Sequence, residues 1–127
     1  MRSEGKRILI VDSDPNILIA LEFLMAQNGF QVAIARTGEE ALESLTAAPP
    51  DLILLEVQLP YRTGFEVCQI IRRRPEWSTI KVVLLSSRGR DVDIAKGNAL
   101  GADAYVTKPF SNKQLVQKIH EVLNRNQ

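Results

Sequence analysis

The sequence has little of what most reactive or extracellular proteins use. Its one cysteine, Cys68, lies in an apolar-periodic stretch, so neither a disulfide framework nor a cysteine-based metal site is available. Its one histidine, His120, sits beside Lys118 and Glu121 on a late amphipathic segment, where it reads as a solvated helix residue. No charge of one sign dominates: 16 Lys and Arg face 15 Asp and Glu, a net charge of +1, which argues against a dedicated nucleic-acid surface. The local run Arg72-Arg73-Arg74 falls where a helix should end and reads as a solvated, dipole-compatible terminus. No apolar run approaches the ~18 residues of a membrane span. Residues 1–7 are polar and charged, with no apolar signal core behind them. These absences leave a cytoplasmic protein as the expectation, with no membrane or nucleic-acid contact.

What is present is an ordinary globular composition, 45% hydrophobic and 24% charged, over 127 residues. That length suits one domain with its own core. Repeats, low-complexity segments and composition breaks are lacking, so residues 1–127 read as a single domain with its core at about 6–123.

Five short apolar runs alternate with five helical patterns. Residues 8–11, 32–34, 52–55, 82–85 and 104–106 are too short for helices, and three of them are almost continuously apolar, as strands buried on both faces are. Ile17, Leu21, Leu24 and Met25 make one face of a first helix, with Asp14 placed to cap it, Pro15 in its first turn and Gly29 at its end. Thr37-Gly38-Glu39-Glu40 has capping-box form and opens a second helix bearing Ala41, Leu42 and Leu45. A third is expected over about 64–73, burying Phe65, Cys68 and Ile71 or Ile70, and a fourth near 92–100, stopped by Gly101. The last follows Ser111 and buries Leu115, Ile119, Val122 and Leu123. Such alternation predicts an α/β doubly wound fold, a parallel sheet with helices on both faces.

Ligands of such sheets bind beyond the carboxyl ends of the strands. The first strand delivers Asp12, Ser13 and Asp14, the third Glu56, the fourth Ser86 and Ser87, and the fifth Thr107, Lys108 and Pro109. Carboxylates, hydroxyls and a lysine at four strand ends suit a divalent cation and a phosphoryl group. Strands end at solvent, which accounts for any one of these residues but not for the set.

Asp12 after Ile8-Leu9-Ile10-Val11, the segment from Pro50-Asp51 to Glu56, Leu59-Pro60 followed by Gly64-Phe65-Glu66, and the run from Gly101 to Lys108-Pro109-Phe110 together resemble a CheY-like response-regulator receiver domain. The resemblance covers about residues 6–123. It implies a five-stranded, flavodoxin-like sheet of order 2-1-3-4-5. It also implies phosphotransfer from a histidine kinase to an aspartate ending the third strand, with Mg²⁺ held by a first-strand acid pair, the acceptor and a backbone carbonyl. By position the acid pair falls on Asp12 and Ser13, the acceptor on Glu56, and the carbonyl on Gln58. The phosphate-contacting hydroxyl falls on Ser86, the lysine on Lys108 before a cis Pro109, and the switching aromatic on Tyr105. A direct Glu56–Lys108 ion pair is expected, with Ser86 close enough to donate a second hydrogen bond.

Two positions depart from that pattern. Glu56 stands where the family has aspartate, and its extra methylene moves the carboxylate by more than the ~1 Å that costs in-line transfer about a hundredfold. Ser13 stands where an acid is usual, leaving Asp12, Glu56 and the Gln58 carbonyl for a weak or lost Mg²⁺ site. The resulting expectation is a phosphorylation-independent protein-binding module rather than an enzyme. Its expected partners are a histidine kinase or output protein, met through the face of the fourth helix, fifth strand and fifth helix, with the domain a monomer or weak homodimer. A weakly phosphorylatable, Mg²⁺-dependent receiver is the alternative. Asp12-Ser13-Asp14 also fits the Asp-x-Asp start of haloacid-dehalogenase-type phosphatases, but Asn16 and the lack of an acidic pair after Lys108 depart from that family. The chain ends just past its last helix without an output domain, so it acts through partners or belongs to a longer protein.

Overall fold

The structure is a computed structural model and describes residues 5–125. Its elements alternate as the sequence predicts: β1 (Arg7–Val11), α1 (Pro15–Gln27), β2 (Gln31–Ala35), α2 (Gly38–Ala47), β3 (Leu52–Glu56), α3 (Gly64–Arg73), a 3-10 turn at Pro75–Trp77, β4 (Lys81–Ser86), α4 (Asp91–Ala99), β5 (Ala104–Thr107) and α5 (Asn112–Leu123). The strands form one sheet of order β2-β1-β3-β4-β5, and every neighbouring pair is parallel.

Side chains alternate across each strand, so the sheet builds two cores. Leu9, Val11, Ile53, Leu55, Val82 and Leu84 face one side and pack with Ala41 and Leu45 of α2 and Val67, Cys68 and Ile71 of α3. Ile8, Ile10, Leu52, Leu54, Val83 and Leu85 face the other and pack with Leu18, Leu21 and Met25 of α1 and Leu115, Ile119 and Val122 of α5. β3 lies mid-sheet and is buried along its whole length. In α1 the deepest residues include Leu18, while Ile17 and Leu24 are only half-buried. With Glu22 its only charged residue, α1 has no polar face sharp enough to mark its buried stripe in the sequence.

Several helix ends are fixed by their own side chains. Asp14 caps α1, its Oδ1 accepting from the Asn16 N–H at 2.9 Å. Thr37 caps α2, but Glu40 accepts in return from the Arg36 N–H rather than from that of Thr37. The reciprocal box is at α3: Thr63 accepts from the Glu66 N–H at 3.2 Å and Glu66 accepts from the Thr63 N–H at 2.8 Å. Gly29 and Gly101 have positive φ at the ends of α1 and α4. No helix among the described residues is long and apolar enough to cross a membrane.

Candidate functional site

Parallel register brings the strand ends together on one rim. Val11 pairs with Leu55 and Glu56 with Leu85, so Asp12 and Glu56 leave adjacent strands side by side. The Lys108 N–H donates to the Ser86 carbonyl at 2.8 Å, pinning the start of the β5–α5 loop to the end of β4. The Lys108–Pro109 bond is cis. Behind Glu56, α3 begins in near contact with the strand. The Gly64 N–H donates to the Val57 carbonyl at 2.8 Å, and a Cβ at Gly64 would stand 2.3 Å from the Glu56 carbonyl oxygen. Only glycine permits that approach.

Asp12 and Glu56 are 3% and 4% exposed. Lys108 serves both: its ammonium donates to Glu56 Oε1 and lies 3.3 Å from Asp12 Oδ2. Glu56 Oε2 accepts from the Gln58 N–H at 2.9 Å, and Asp12 Oδ1 from the Asp14 N–H at 2.9 Å. Burial alone would lower the Lys108 pKa, but the hydrogen bond and charge of Glu56, joined by Asp12, outweigh it and hold the ammonium above its ordinary value.

Ser86 is fully buried, yet it does not reach Glu56, where a second hydrogen bond was expected; its hydroxyl instead accepts from the Arg88 N–H at 3.0 Å. Tyr105 is half-buried on β5 and donates to the Arg88 carbonyl at 2.5 Å. Burial is the largest reason its phenol titrates above the ordinary value. Gln58 accepts through its side chain from Ser87 at 3.2 Å. Ser13 is exposed, and Asp14 is occupied in capping α1.

The Mg²⁺ site implied by the resemblance is not met by this donor set. Mg²⁺ wants near-octahedral oxygen ligation at about 2.1 Å. Only two carboxylates converge here, and each of their four oxygens already accepts from an N–H. Among the described residues no three His, Cys, Asp or Glu side chains group to hold a metal. As arranged, these residues do not fit the ion.

The profile of the response regulator receiver domain matches residues 8–120. The chain belongs to the response-regulator receiver family. It is 37% identical over 127 residues to the DNA-binding response regulator MtrA of Mycolicibacterium smegmatis, covering all of this chain and 54% of that protein. It is 40% identical over 120 residues to the transcriptional regulatory protein AfsQ1 of Streptomyces coelicolor, covering 94% of this chain and 52% of that one. The receiver thus spans about half the length of these curated relatives. Among solved structures, a response regulator from Chloroflexus aurantiacus superposes with a TM-score of 0.91 at 31% identity, covering 96% of this chain and 100% of that one.

Some of the receiver's features escaped the sequence. Arg72 is not a solvated helix end: Nε donates to the Gly101 carbonyl, Nη1 to the Ile80 carbonyl and Nη2 to Asp103 Oδ2, each at 2.8 Å. Its planar fork meets acceptors 8, 29 and 31 residues away, a geometry no local pattern announces. Arg74 lies 4.7 Å from the centre of the Trp77 ring yet stays exposed, so Arg73 and Arg74 both fit the solvated reading. His120 is half-buried and packs its ring 5.6 Å from Phe30. Asp93 is buried and pairs with Arg90 at 3.1 Å, which the i, i+3 spacing of the two could have suggested.

Proposed function

We propose that this receiver is a phosphorylation-independent protein-binding module of two-component signalling, not an enzyme. The carrying observation is at Glu56. One carboxylate oxygen is held by Lys108 and the other by the Gln58 N–H, and the extra methylene sets both away from where an aspartate's oxygens would stand for in-line transfer. The carboxylate at this position imitates part of a phosphoaspartate, with one negative charge in place of nearly two and two oxygens in place of three. Ser86, Tyr105 and Lys108 are retained around it as the pocket and switch residues. The signal is read through the face of α4, β5 and α5 by a kinase or an output protein, in the cytoplasm, with the receiver monomeric or weakly dimeric. The two longer relatives, a DNA-binding response regulator and a transcriptional regulatory protein, point to a transcriptional output, supplied by a partner or by a further segment.

The test is incubation with acetyl phosphate and Mg²⁺ followed by intact mass. An unchanged mass is expected. Stoichiometric phosphorylation sinks the proposal, and a small phosphorylated fraction favours the alternative of a weak, Mg²⁺-dependent acceptor.

A further inference from the structure

Asp12 and Glu56 occupy the positions that the family devotes to a divalent ion, and here a cation already stands between them. The Lys108 ammonium bonds one oxygen of each carboxylate, while the backbone N–H groups of Asp14 and Gln58 take the other two. Four oxygens meet four N–H bonds, and no buried side-chain polar atom of the described residues is left without a partner. Ser13 adds no charge, so two carboxylates face one ammonium.

We propose that Lys108 is the resident cation of this pocket, standing in for the divalent ion and excluding it. An incoming Mg²⁺ would have to strip Lys108 from two buried carboxylates and turn oxygens away from two backbone donors. It would also have to accept a like charge within a few ångströms, in a site where screening is weak. An ammonium has no such demands, because its three rotatable donors adapt to the oxygens offered. This assignment concerns the metal and not the phosphoryl group. Its test therefore reads metal binding directly and uses no phosphodonor.

The consequence is an inversion: removing the lysine should create a metal site. With the full chain and no phosphodonor, Mn²⁺ serves as the probe through paramagnetic broadening of the Asp12, Asp14, Glu56 and Gln58 amide signals, and Mg²⁺ through the melting temperature. The wild type should show neither effect below millimolar metal. Lys108→Met should bind Mn²⁺ at least about tenfold more tightly, the effect of removing one like charge beside the ion, and should melt higher with Mg²⁺. Lys108→Gln keeps donors without charge and should follow Lys108→Met, which assigns the exclusion to charge. Adding Asp12→Asn to either variant should abolish the gain. If Lys108→Met folds only when Mg²⁺ is added, circular dichroism records the same expected result; if it folds in neither condition, Lys108→Gln decides. If neither variant folds, the wild-type titration decides, with micromolar Mn²⁺ affinity overturning the assignment and the absence of binding below millimolar supporting it. Equal affinity in the wild type and the folded variants also overturns it.

Discussion

Lys108, following β5, is hydrogen-bonded to Glu56, at the end of β3, and keeps Asp12 of the neighbouring strand end as a second partner at 3.3 Å. One ammonium thereby joins three strand ends that are adjacent only in the fold.

This second partner sets the size of the response to Glu56→Gln. A half-buried lysine losing its sole counter-charge would cost on the order of 1–3 kcal/mol. With Asp12 still in place the loss should lie near the bottom of that range, about 1 kcal/mol. Urea unfolding with an unchanged slope reads it. A variant more stable than the parent would show that the pair is a net burden.

Restoring the acceptor tests both departures from the family pattern. Glu56→Asp alone should gain little phosphorylation by acetyl phosphate, because the metal position still lacks its acid at Ser13. Glu56→Asp with Ser13→Asp should gain clearly more, as intact mass will record. Full recovery by Glu56→Asp alone would make acceptor length the whole defect.

Gly64→Ala should destabilise the fold although it adds one methyl. The new carbon would meet Glu56 O at 2.3 Å and Val57 Cα at 2.8 Å, both backbone atoms that yield only if α3 shifts. Overpacking of this kind costs about 1–3 kcal/mol. Thermal melting measures it, and shifted amide signals at Glu56 and Gln58 should accompany the loss.

The fold was legible because its signals are local. Short apolar runs, the caps at Asp14 and Thr37, and the stops at Gly29 and Gly101 are read within a few residues. Lys108 and Glu56 were legible as partners because both follow strands whose order the family resemblance supplies. The Ser86 contact was misread: the Arg88 N–H, two residues on, satisfies that hydroxyl locally. At Thr37 and Glu40 the spacing named the right residues but not the donor, since Arg36 rather than Thr37 lies in reach of Glu40. Arg72 was illegible because its acceptors sit where β4 and β5 begin.

Cys68 should behave as an inert thiol in the native state. Burial pushes it up to about 11, with Arg72 opposing. Alkylation at pH 8 should therefore require unfolding. The folded state keeps a proton that the unfolded thiol releases from about 9.0 upward, so stability falls as pH rises from about 9 to about 11, by on the order of 2–3 kcal/mol. Cys68→Ala should flatten that part of the pH profile. An identical slope in the variant would exclude the thiol as its cause.

The clamp at Arg72 makes α3 a strut. Ten residues of helix span about 15 Å. One end is hung on the Val57 carbonyl just after Glu56, and the other grips Gly101, Ile80 and Asp103, whose carboxylate also holds the Val82 N–H. α3 thus links the acceptor loop to the opposite rim of the sheet by contacts at its two ends. The amides of Gly64 and Val82 should therefore open to hydrogen exchange as one unit. Arg72→Met, which leaves Asp103 without its cation, should reduce protection at both, by roughly ten- to a hundredfold. Loss confined to Val82 would mean that the two ends of the strut move independently.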